Sequence, residues 1–156
     1  MLLCYPLLTS LQAPILKITK GKVAITSSKF SSTNVAEQDL MHFNSATVTF
    51  LDSTLMASSG RTLITSDNTD ISFTRSQLRE NNMLVSVVQL LSSTATITDS
   101  EFHYNVQLQE ASSMITNHAS SLTVFNLTAT NNEGYFGGVV SCVDTASLFL
   151  YDSHFS

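Results

Sequence analysis

Three ionisable residues recur at one position of a repeated sequence pattern, and their types are those of acid–base catalysis. Asp52, Arg75 and Asp99 are separated by 23 and 24 residues, and each precedes a serine. Glycoside hydrolysis needs two carboxyl groups, which inverting enzymes hold about 6.5–9.5 Å apart. Stacking at the strand spacing places Asp52 and Asp99 about 10 Å apart, with Arg75 between them. A central guanidinium keeps both carboxylates ionised and leaves no general acid, so we interpret the three as an exposed charge ladder.

The four histidines do not form a metal-binding pattern. They occupy unrelated positions of the repeat, at His42, His103, His118 and His154. A zinc site needs three or four ligands that converge on one point. Calcium, which pectate lyases hold with clustered acids, needs about six or more oxygen ligands, whereas the acidic residues of this chain are scattered. We therefore predict no metal, no other cofactor and no catalytic residue.

One pattern repeats six times along the chain, at intervals of 23–27 residues. Its first, third and eighth positions are apolar, and the residue between the first and third is usually small or hydroxylated. Apolar residues at i and i+2 have the period of a β-strand rather than that of a helix. The three apolar columns are Val23, Val48, Ile71, Ala95, Leu122, Leu148; Ile25, Phe50, Phe73, Ile97, Val124, Leu150; and Phe30, Leu55, Leu78, Phe102, Ala129, Phe155.

A second apolar strand precedes each of these segments by eight residues. With that strand included, sixteen residues per repeat align without a gap, and all length variation falls in one connecting stretch. Insertions confined to one place per repeat are typical of stacked units with loops on one edge. The column of this earlier strand is Ile15, Leu40, Leu63, Val87, Met114 and Val140.

Two polar columns mark the bends of the repeat. In the first, a hydroxyl is expected to point inward and bond to nearby backbone. In the second, short polar side chains are expected to form a ladder to the backbone of the neighbouring coil. These columns are Ser28, Ser53, Ser76, Ser100, Leu127, Ser153 and Thr33, Ser58, Asn81, Asn105, Asn132.

The pattern predicts an all-β parallel β-helix, a β-solenoid of about six coils with about three short strands in each. A leucine-rich repeat has a similar period but needs a regular leucine frame and a helix-forming second half, and this chain has neither. We assign residues 13–156 to the coils and residues 1–12 to a partial first coil or an N-terminal cap. We expect the coils to be a section of a longer solenoid, whose open ends stack on further coils of the same protein or on a protein partner.

The composition excludes several classes of protein. Of the 156 residues, 43% are hydrophobic and 12% are charged, which excludes a charge-rich long helix, a coiled coil and a charge-driven disordered tail. Seven basic residues against 12 acidic ones give a net charge of −5, so nucleic acid is not an expected partner. No apolar run approaches the ~18 residues needed to cross a bilayer, so the chain is not expected to span a membrane.

Two further features bear on processing. Cys4 and Cys142 are far apart in sequence and indicate neither a disulfide framework nor a metal knuckle, so we interpret them as buried or inert thiols. Asn126-Leu127-Thr128 is a sequon, which makes Asn126 a candidate glycosylation site.

Two short segments carry a family resemblance. Phe102-His103-Tyr104-Asn105 and Gly137-Gly138-Val139-Val140 resemble the FxxN and GGA[ILV] motifs of polymorphic outer-membrane-protein repeats, members of the pectin-lyase-like group. At the level of coil pattern the likeness covers nearly the whole chain, although each motif is close to complete only once. The resemblance implies a right-handed β-helix, found in adhesins, surface proteins and polysaccharide-acting enzymes. Because these motifs are structural, no catalytic residue is carried over.

Aromatic residues provide the candidate binding surface. By strand alternation Phe125, Phe149 and Tyr151 face outward in the last two coils, and Tyr135 and Phe136 lie in the adjacent connecting stretch. Exposed aromatic patches mark a protein partner, a carbohydrate platform or a covering segment. We favour a protein partner or a covering segment over carbohydrate.

The function expected from these features is that of a structural or binding module of a surface or extracellular protein. Such a module acts in adhesion or assembly through an extended face of the solenoid. The alternative is a section of a polysaccharide-processing enzyme, a lyase or glycoside hydrolase, whose catalytic coils lie outside this chain. Three acids converging on one face would favour the enzyme, whereas a continuous aromatic or apolar face would favour the binding module.

Overall fold

The computed structural model describes residues 14–35, 38–109, 113–134 and 138–156, and within them all regular structure is β-strand. Residues 1–12, assigned above to a partial coil or cap, lie outside the described residues together with Cys4, so that assignment stays a prediction. The strands are β1 (Leu16–Thr26), β2 (Lys29–Ser31), β3 (Asp39–Leu51), β4 (Thr54–Met56), β5 (Ser59–Asp67), β6 (Asp70–Thr74), β7 (Gln77–Arg79), β8 (Asn82–Leu91), β9 (Thr94–Thr98), β10 (Glu101–His103), β11 (Val106–Gln107), β12 (Ile115–His118), β13 (Ser121–Phe125), β14 (Thr128–Thr130), β15 (Val140–Val143), β16 (Ser147–Tyr151) and β17 (His154–Phe155).

The strands form three parallel sheets around a common core, and the first and third of these are continuous with each other through the long strands β1 and β3. The first sheet contains the second halves of β1 and β3, followed by β6, β9, β13 and β16. The second sheet runs β2, β4, β7, β10, β14 and β17. The third sheet contains the first halves of β1 and β3, followed by β5, β8, β12 and β15, with β11 beside β8. The architecture is a parallel β-solenoid of about 5 turns, which confirms the predicted fold class and the three strands per coil.

Each coil forms one rung of the stack, and the register between successive rungs confirms the predicted apolar columns. Val23 pairs with Val48, and the pairing continues through the first column as far as Leu148. The other two columns of the repeat are also in register from rung to rung. Their side chains point inward, and Phe50 and Phe73 are fully buried with stacked rings 4.9 Å apart. Because a coil cannot cover its own inward side chains, the core exists only between stacked rungs.

The predicted alignment of the earlier strand is wrong in the last coil. Val140 pairs with Ile115, not with Met114, so the coil carries one more residue than expected before β16. The extra residue lies at the corner between β15 and β16, where Asp144, Thr145 and Ala146 replace the two-residue corner formed by Ala119 and Ser120 in the coil before. Length variation therefore also occurs at this corner and not only in the long connecting stretch.

Left-handed backbone conformations define the three corners of each coil. All non-glycine residues with positive φ among the described residues fall into three columns, one per corner. A left-handed residue turns the chain sharply within one or two positions, which lets short strands follow each other around the core. The columns are Lys20, Ser45, Asn68, Ser92, Ala119, Asp144; Ser27, Asp52, Arg75, Asp99, Asn126, Asp152; and Ser32, Ala57, Glu80, Tyr104, Asn131.

A polar side chain follows most of these left-handed residues and caps the backbone of the preceding coil. At the second corner the amide of Ser53 donates to Ser76 Oγ at 3.3 Å, and Ser76 Oγ donates to the carbonyl of Thr74. At the third corner the amide of Asn81 donates to Asn105 Oδ1 at 3.2 Å. The local bonds predicted for the serine column and the ladder predicted for the second polar column are therefore confirmed. The serine hydroxyls also form a ladder, and both ladders satisfy amides that the tight bends leave without strand partners.

Replacing an alanine at a left-handed corner by glycine is expected to stabilise the fold. Ala119 has φ 50° and is exposed, so its methyl group adds strain without contributing to the core. Glycine removes this strain, and for Ala119→Gly we expect a net gain of about 0.5 kcal/mol in the free energy of unfolding, measured by urea denaturation. Ala24→Gly, at an exposed strand position of β1, should lower the free energy of unfolding by about 0.5 kcal/mol. A loss in both variants would contradict the role of the corner.

Candidate functional site

The charge column predicted from the sequence, Asp52, Arg75 and Asp99, lies on the second corner of the coil. Arg75 forms hydrogen bonds with only one of its two acidic neighbours. Arg75 Nε donates to Asp52 Oδ1 at 2.7 Å, and Arg75 Nη2 donates to Asp52 Oδ2 at 3.1 Å. Asp99 accepts a hydrogen bond from Asn126 Nδ2 at 2.8 Å. The expected ladder of three charges is therefore a bidentate Asp52–Arg75 pair next to an Asp99–Asn126 pair.

This geometry determines the protonation of Asp52. The hydrogen bonds from Arg75 hold the pKa of the Asp52 carboxyl below its ordinary value, and the same pair raises the pKa of Arg75. Both side chains are well exposed, so the pair is screened by solvent. An ionised carboxylate that is fully engaged by a guanidinium has no proton to donate to a leaving group.

Removing the arginine should raise the pKa of Asp52. The lowered pKa means that the pair stabilises the fold above the unfolded-state pKa of Asp52 and loses this effect as the pH falls through the folded-state pKa. In Arg75→Gln the carboxyl should titrate at a higher pH, followed by carboxyl carbon NMR. Arg61→Gln, which removes a cation near Asp39, should leave the Asp52 titration unchanged. An unshifted Asp52 in Arg75→Gln would contradict the assigned pair.

The four histidines lie on four different strands, β3, β10, β12 and β17. His118 Nδ1 lies 3.0 Å from Asp144 Oδ2, and His103 Nδ1 lies 2.6 Å from Thr130 Oγ1. Each of these two histidines therefore contacts one polar side chain of the neighbouring rung. Within the ranges that the structure describes, no three His, Cys, Asp or Glu residues come together in a way that could hold a metal ion.

Three aromatic side chains form a patch on the outer face of the first sheet, and we call Phe125, Phe149 and Tyr151 the aromatic patch. Their exposed fractions are 41%, 49% and 47%. Phe125 and Tyr151 are paired across β13 and β16, and their rings stack with centroids 4.7 Å apart and an interplanar angle of 11°. The outward orientation predicted from strand alternation is confirmed. Tyr135 and Phe136, predicted to extend the patch, lie outside the described residues.

Acidic and amide groups border the aromatic patch. Asn126 directly follows Phe125 at the second corner, and Asp152 directly follows Tyr151. Asp99 lies one rung before Asn126 and is bonded to it. The patch therefore combines apolar ring surface with negative charge along one edge of the sheet. Asn126 is exposed, and its glycosylation stays a prediction.

A third polar ladder was not found from the sequence. At the first corner the amide of Thr69 donates to Ser93 Oγ at 3.1 Å, and the amide of Ser93 donates to Ser120 Oγ at 2.8 Å. The corresponding column, two positions before each repeat start, is hydroxylated only at Thr69, Ser93 and Ser120, and Gly21, Ala46 and Ala146 occupy its other three positions. Because half of its positions lack a polar side chain, the column does not stand out in the sequence, although the amide of Ala46 still donates to Thr69 Oγ1.

No protein-family model, curated protein or solved structure matches this chain. The resemblance to polymorphic outer-membrane-protein repeats and to the pectin-lyase-like group therefore stays a prediction. The roles of the motif residues are nevertheless clear, since Phe102 is buried in the core and Asn105 caps the neighbouring coil. Among the described residues, no helix is long and apolar enough to span a membrane.

Proposed function

We propose that this chain is a binding module that recognises a protein partner through the outer face of the first sheet. The observation that carries the proposal is the aromatic patch, in which three large rings are each more than 40% exposed on one face. Rigid aromatic side chains are the residues that most often supply binding energy at protein interfaces. A parallel solenoid holds them at fixed spacing, so little ordering is needed on binding.

The partner surface that fits this patch is apolar and basic. No Lys or Arg follows Arg79 in the chain, and Asp99 and Asp152 lie exposed beside the rings. Aliphatic or aromatic side chains of the partner would pack on the rings, and its Lys or Arg side chains would pair with the two carboxylates. Opposite charge at the rim of an interface chiefly accelerates association and aligns the partner.

Ring geometry favours a polypeptide over a carbohydrate. A sugar ring stacks on an open aromatic face, whereas Phe125 and Tyr151 each cover one face of the other at 4.7 Å. The pair therefore offers a sugar less stacking surface than two separate rings would, while an apolar side chain can pack against ring edges. For this reason we place the carbohydrate alternative second.

The proposal is tested with a phage-displayed random peptide library selected on the immobilised 156-residue chain. Selected peptides should be rich in Lys or Arg next to aromatic or aliphatic residues. Their affinity, measured by calorimetry, should fall at least about tenfold for Phe125→Ser. Tyr104→Ser is the matched control because Tyr104 is 60% exposed on another corner, and it should leave the affinity unchanged.

Two results would overturn the proposed partner class. One is a set of peptides whose affinity is the same for Phe125→Ser and for the unchanged chain. The other is binding to an oligosaccharide on a glycan array that is lost in Phe125→Ser, which would make the patch a carbohydrate site.

The proposal includes a location at the cell surface or outside the cell, in adhesion or assembly. The resemblance to surface-protein repeats and the exposed sequon at Asn126 support this location. Antibodies against the chain should label intact cells that produce it. Signal obtained only after the cells are made permeable would contradict the location without affecting the binding face.

A further inference from the structure

One face of the Phe125 ring is covered and the other is open. Phe125 lies on β13, between Thr98 of β9 and Tyr151 of β16 in the same outward column. Tyr151 stacks on one face, with the ring centroids 4.7 Å apart and an angle of 11° between the planes. The opposite face looks towards the rung of β9, where the column holds the much shorter side chain of Thr98. Phe125 is 41% exposed, so this second face is open to solvent.

The side chain of Asn126 leans towards the same side of the ring. Asn126 is the left-handed residue of the second corner, with φ 49°, and it directly follows Phe125. Its Nδ2 donates to Asp99 Oδ1 at 2.8 Å, and Asp99 directly follows Thr98 on the preceding rung. This nitrogen therefore lies on the side of the open face of Phe125 and away from Tyr151.

The same nitrogen is the acceptor atom of the sequon Asn126-Leu127-Thr128. Leu127 is buried, whereas Asn126 is exposed and Thr128 is half-buried on the outer face of the second sheet. An asparagine amide carries two hydrogens on Nδ2, so one can be replaced by a sugar while the other keeps the bond to Asp99. A glycan attached here would start next to the open face of Phe125.

We propose that Asn126 carries an N-linked glycan whose first sugar packs on the open face of Phe125 and closes the aromatic patch to a partner. The inference rests on the proposed function, because it takes the patch as the partner site and N-glycans are attached on the route to the cell surface.

The modification is a group transfer without oxidation or reduction. Nδ2 of Asn126 attacks C1 of the first N-acetylhexosamine of an oligosaccharide linked to a lipid diphosphate. A bond from nitrogen to C1 forms, and the bond from C1 to the diphosphate oxygen breaks. The lipid diphosphate leaves, and one amide proton passes to a base of the transferase.

Covalent attachment explains why a sugar can use this face although the aromatic patch is a poor platform for free carbohydrate. A free sugar must lose its translational freedom for contact with a single ring face. A sugar bonded to Asn126 is already held beside the ring of Phe125, which gives it a high effective concentration. The C–H groups of one sugar face then make dispersion contacts with the ring.

The same glycan would cover the acidic border of the aromatic patch. Asn126 stands between Asp99 and Asp152 in the column of left-handed residues at the second corner. Neighbouring rungs are about 4.8 Å apart, so each carboxylate lies about one strand spacing from the modified residue. A bulky, hydrated glycan at this position separates the Lys or Arg side chains of a partner from both carboxylates. The glycosylated chain should therefore bind a partner more weakly.

Secretion of the chain from a eukaryotic host that attaches N-glycans tests the contact with Phe125. After enzymatic trimming to the first sugar, the intact mass should show this sugar, and Thr128→Val, which removes the sequon but keeps a β-branched side chain, should lack it. In NMR spectra the sugar protons should be shifted upfield by the Phe125 ring. The shift should be lost in Phe125→Leu and kept in Phe149→Leu, which removes a neighbouring exposed ring.

Peptide binding tests the closing of the patch. The probe is a peptide selected as above on chain made in a bacterial cytoplasm, which attaches no N-glycan. Its affinity, measured by calorimetry, should be at least about tenfold weaker for the untrimmed glycosylated chain. Thr128→Val from the same eukaryotic host should restore the affinity.

Three results would each overturn the inference: an unmodified Asn126 in the secreted chain, sugar protons without an upfield shift, or equal peptide affinity with and without the glycan. A library that yields no Phe125-dependent peptide would overturn the proposed function and with it the closing of the patch. The sugar shifts would still report the contact with Phe125, so the two failures are distinguishable.

Discussion

Phe73→Asp is expected to unfold a large fraction of the protein. The Phe73 ring is fully buried and stacks on Phe50, so the substitution leaves a cavity and buries a carboxylate without a partner. Loss of a buried phenylalanine alone costs about 3–5 kcal/mol, and the unpaired charge adds to this. Since single domains have stabilities of about 5–15 kcal/mol, most of the stability should be lost, as measured by urea denaturation followed by circular dichroism.

Thr74→Asp is the matched control for this prediction. Thr74 is the next residue of β6, and its side chain points to the outer face of the first sheet. An aspartate there remains hydrated, so we expect the free energy of unfolding to fall by less than about 1 kcal/mol. Equal denaturation midpoints for the two variants would contradict the assignment of Phe73 to the inward face and Thr74 to the outward face of β6.

Asn105→Ala is expected to lower the free energy of unfolding by about 3 kcal/mol, the second largest effect predicted for this protein. The reason is that the substitution leaves several buried groups unpaired. Asn105 Nδ2 donates to the carbonyl of Leu78 at 2.8 Å. Asn105 Oδ1 accepts from the amide of Asn81 at 3.2 Å and from Asn81 Nδ2 at 2.9 Å. Alanine removes these three bonds and a fourth, from Asn105 Nδ2 to Asn132 Oδ1 at 3.0 Å, and leaves the Leu78 carbonyl and the Asn81 amide without these partners in the interior. The free energy of unfolding, measured with urea, reports the loss.

Asn82→Ala provides the comparison for the asparagine ladder. Asn82 is exposed at the start of β8, so its loss should change the free energy of unfolding by less than about 0.5 kcal/mol. Similar effects of the two substitutions would mean that the Asn105 side chain is hydrated rather than bonded to the neighbouring coils.

Inward and outward positions were determined by the sequence itself. The apolar columns from Val23 to Leu148 and from Phe30 to Phe155 are in register in the structure, as their spacing predicts. The physical reason is local, because side chains alternate between the two faces of a strand and a one-residue shift would expose the whole core. The same alternation placed the aromatic patch on the outer face.

The corner at Asp144 could not be derived in this way. The residues on both sides of the extra position carry no alternation, so the repeat pattern alone places Val140 opposite Met114, one residue away from its partner Ile115. The left-handed corners were also missed, since they hold residues as different as Arg75 and Ala119. Their conformation is imposed by the strands on either side and by the capping bonds of the next coil, not by the residue type.

The pairing of the charges required the tertiary structure. The sequence places Arg75 between Asp52 and Asp99 at nearly equal spacing, but the guanidinium binds Asp52, while Asp99 accepts from Asn126. Which carboxylate an arginine binds depends on side-chain rotamers and competing donors on adjacent rungs, and these are set by residues more than twenty positions apart. The periodicity of the chain thus determines the stacking of its coils, whereas contacts between coils decide which polar groups meet and which surfaces stay open.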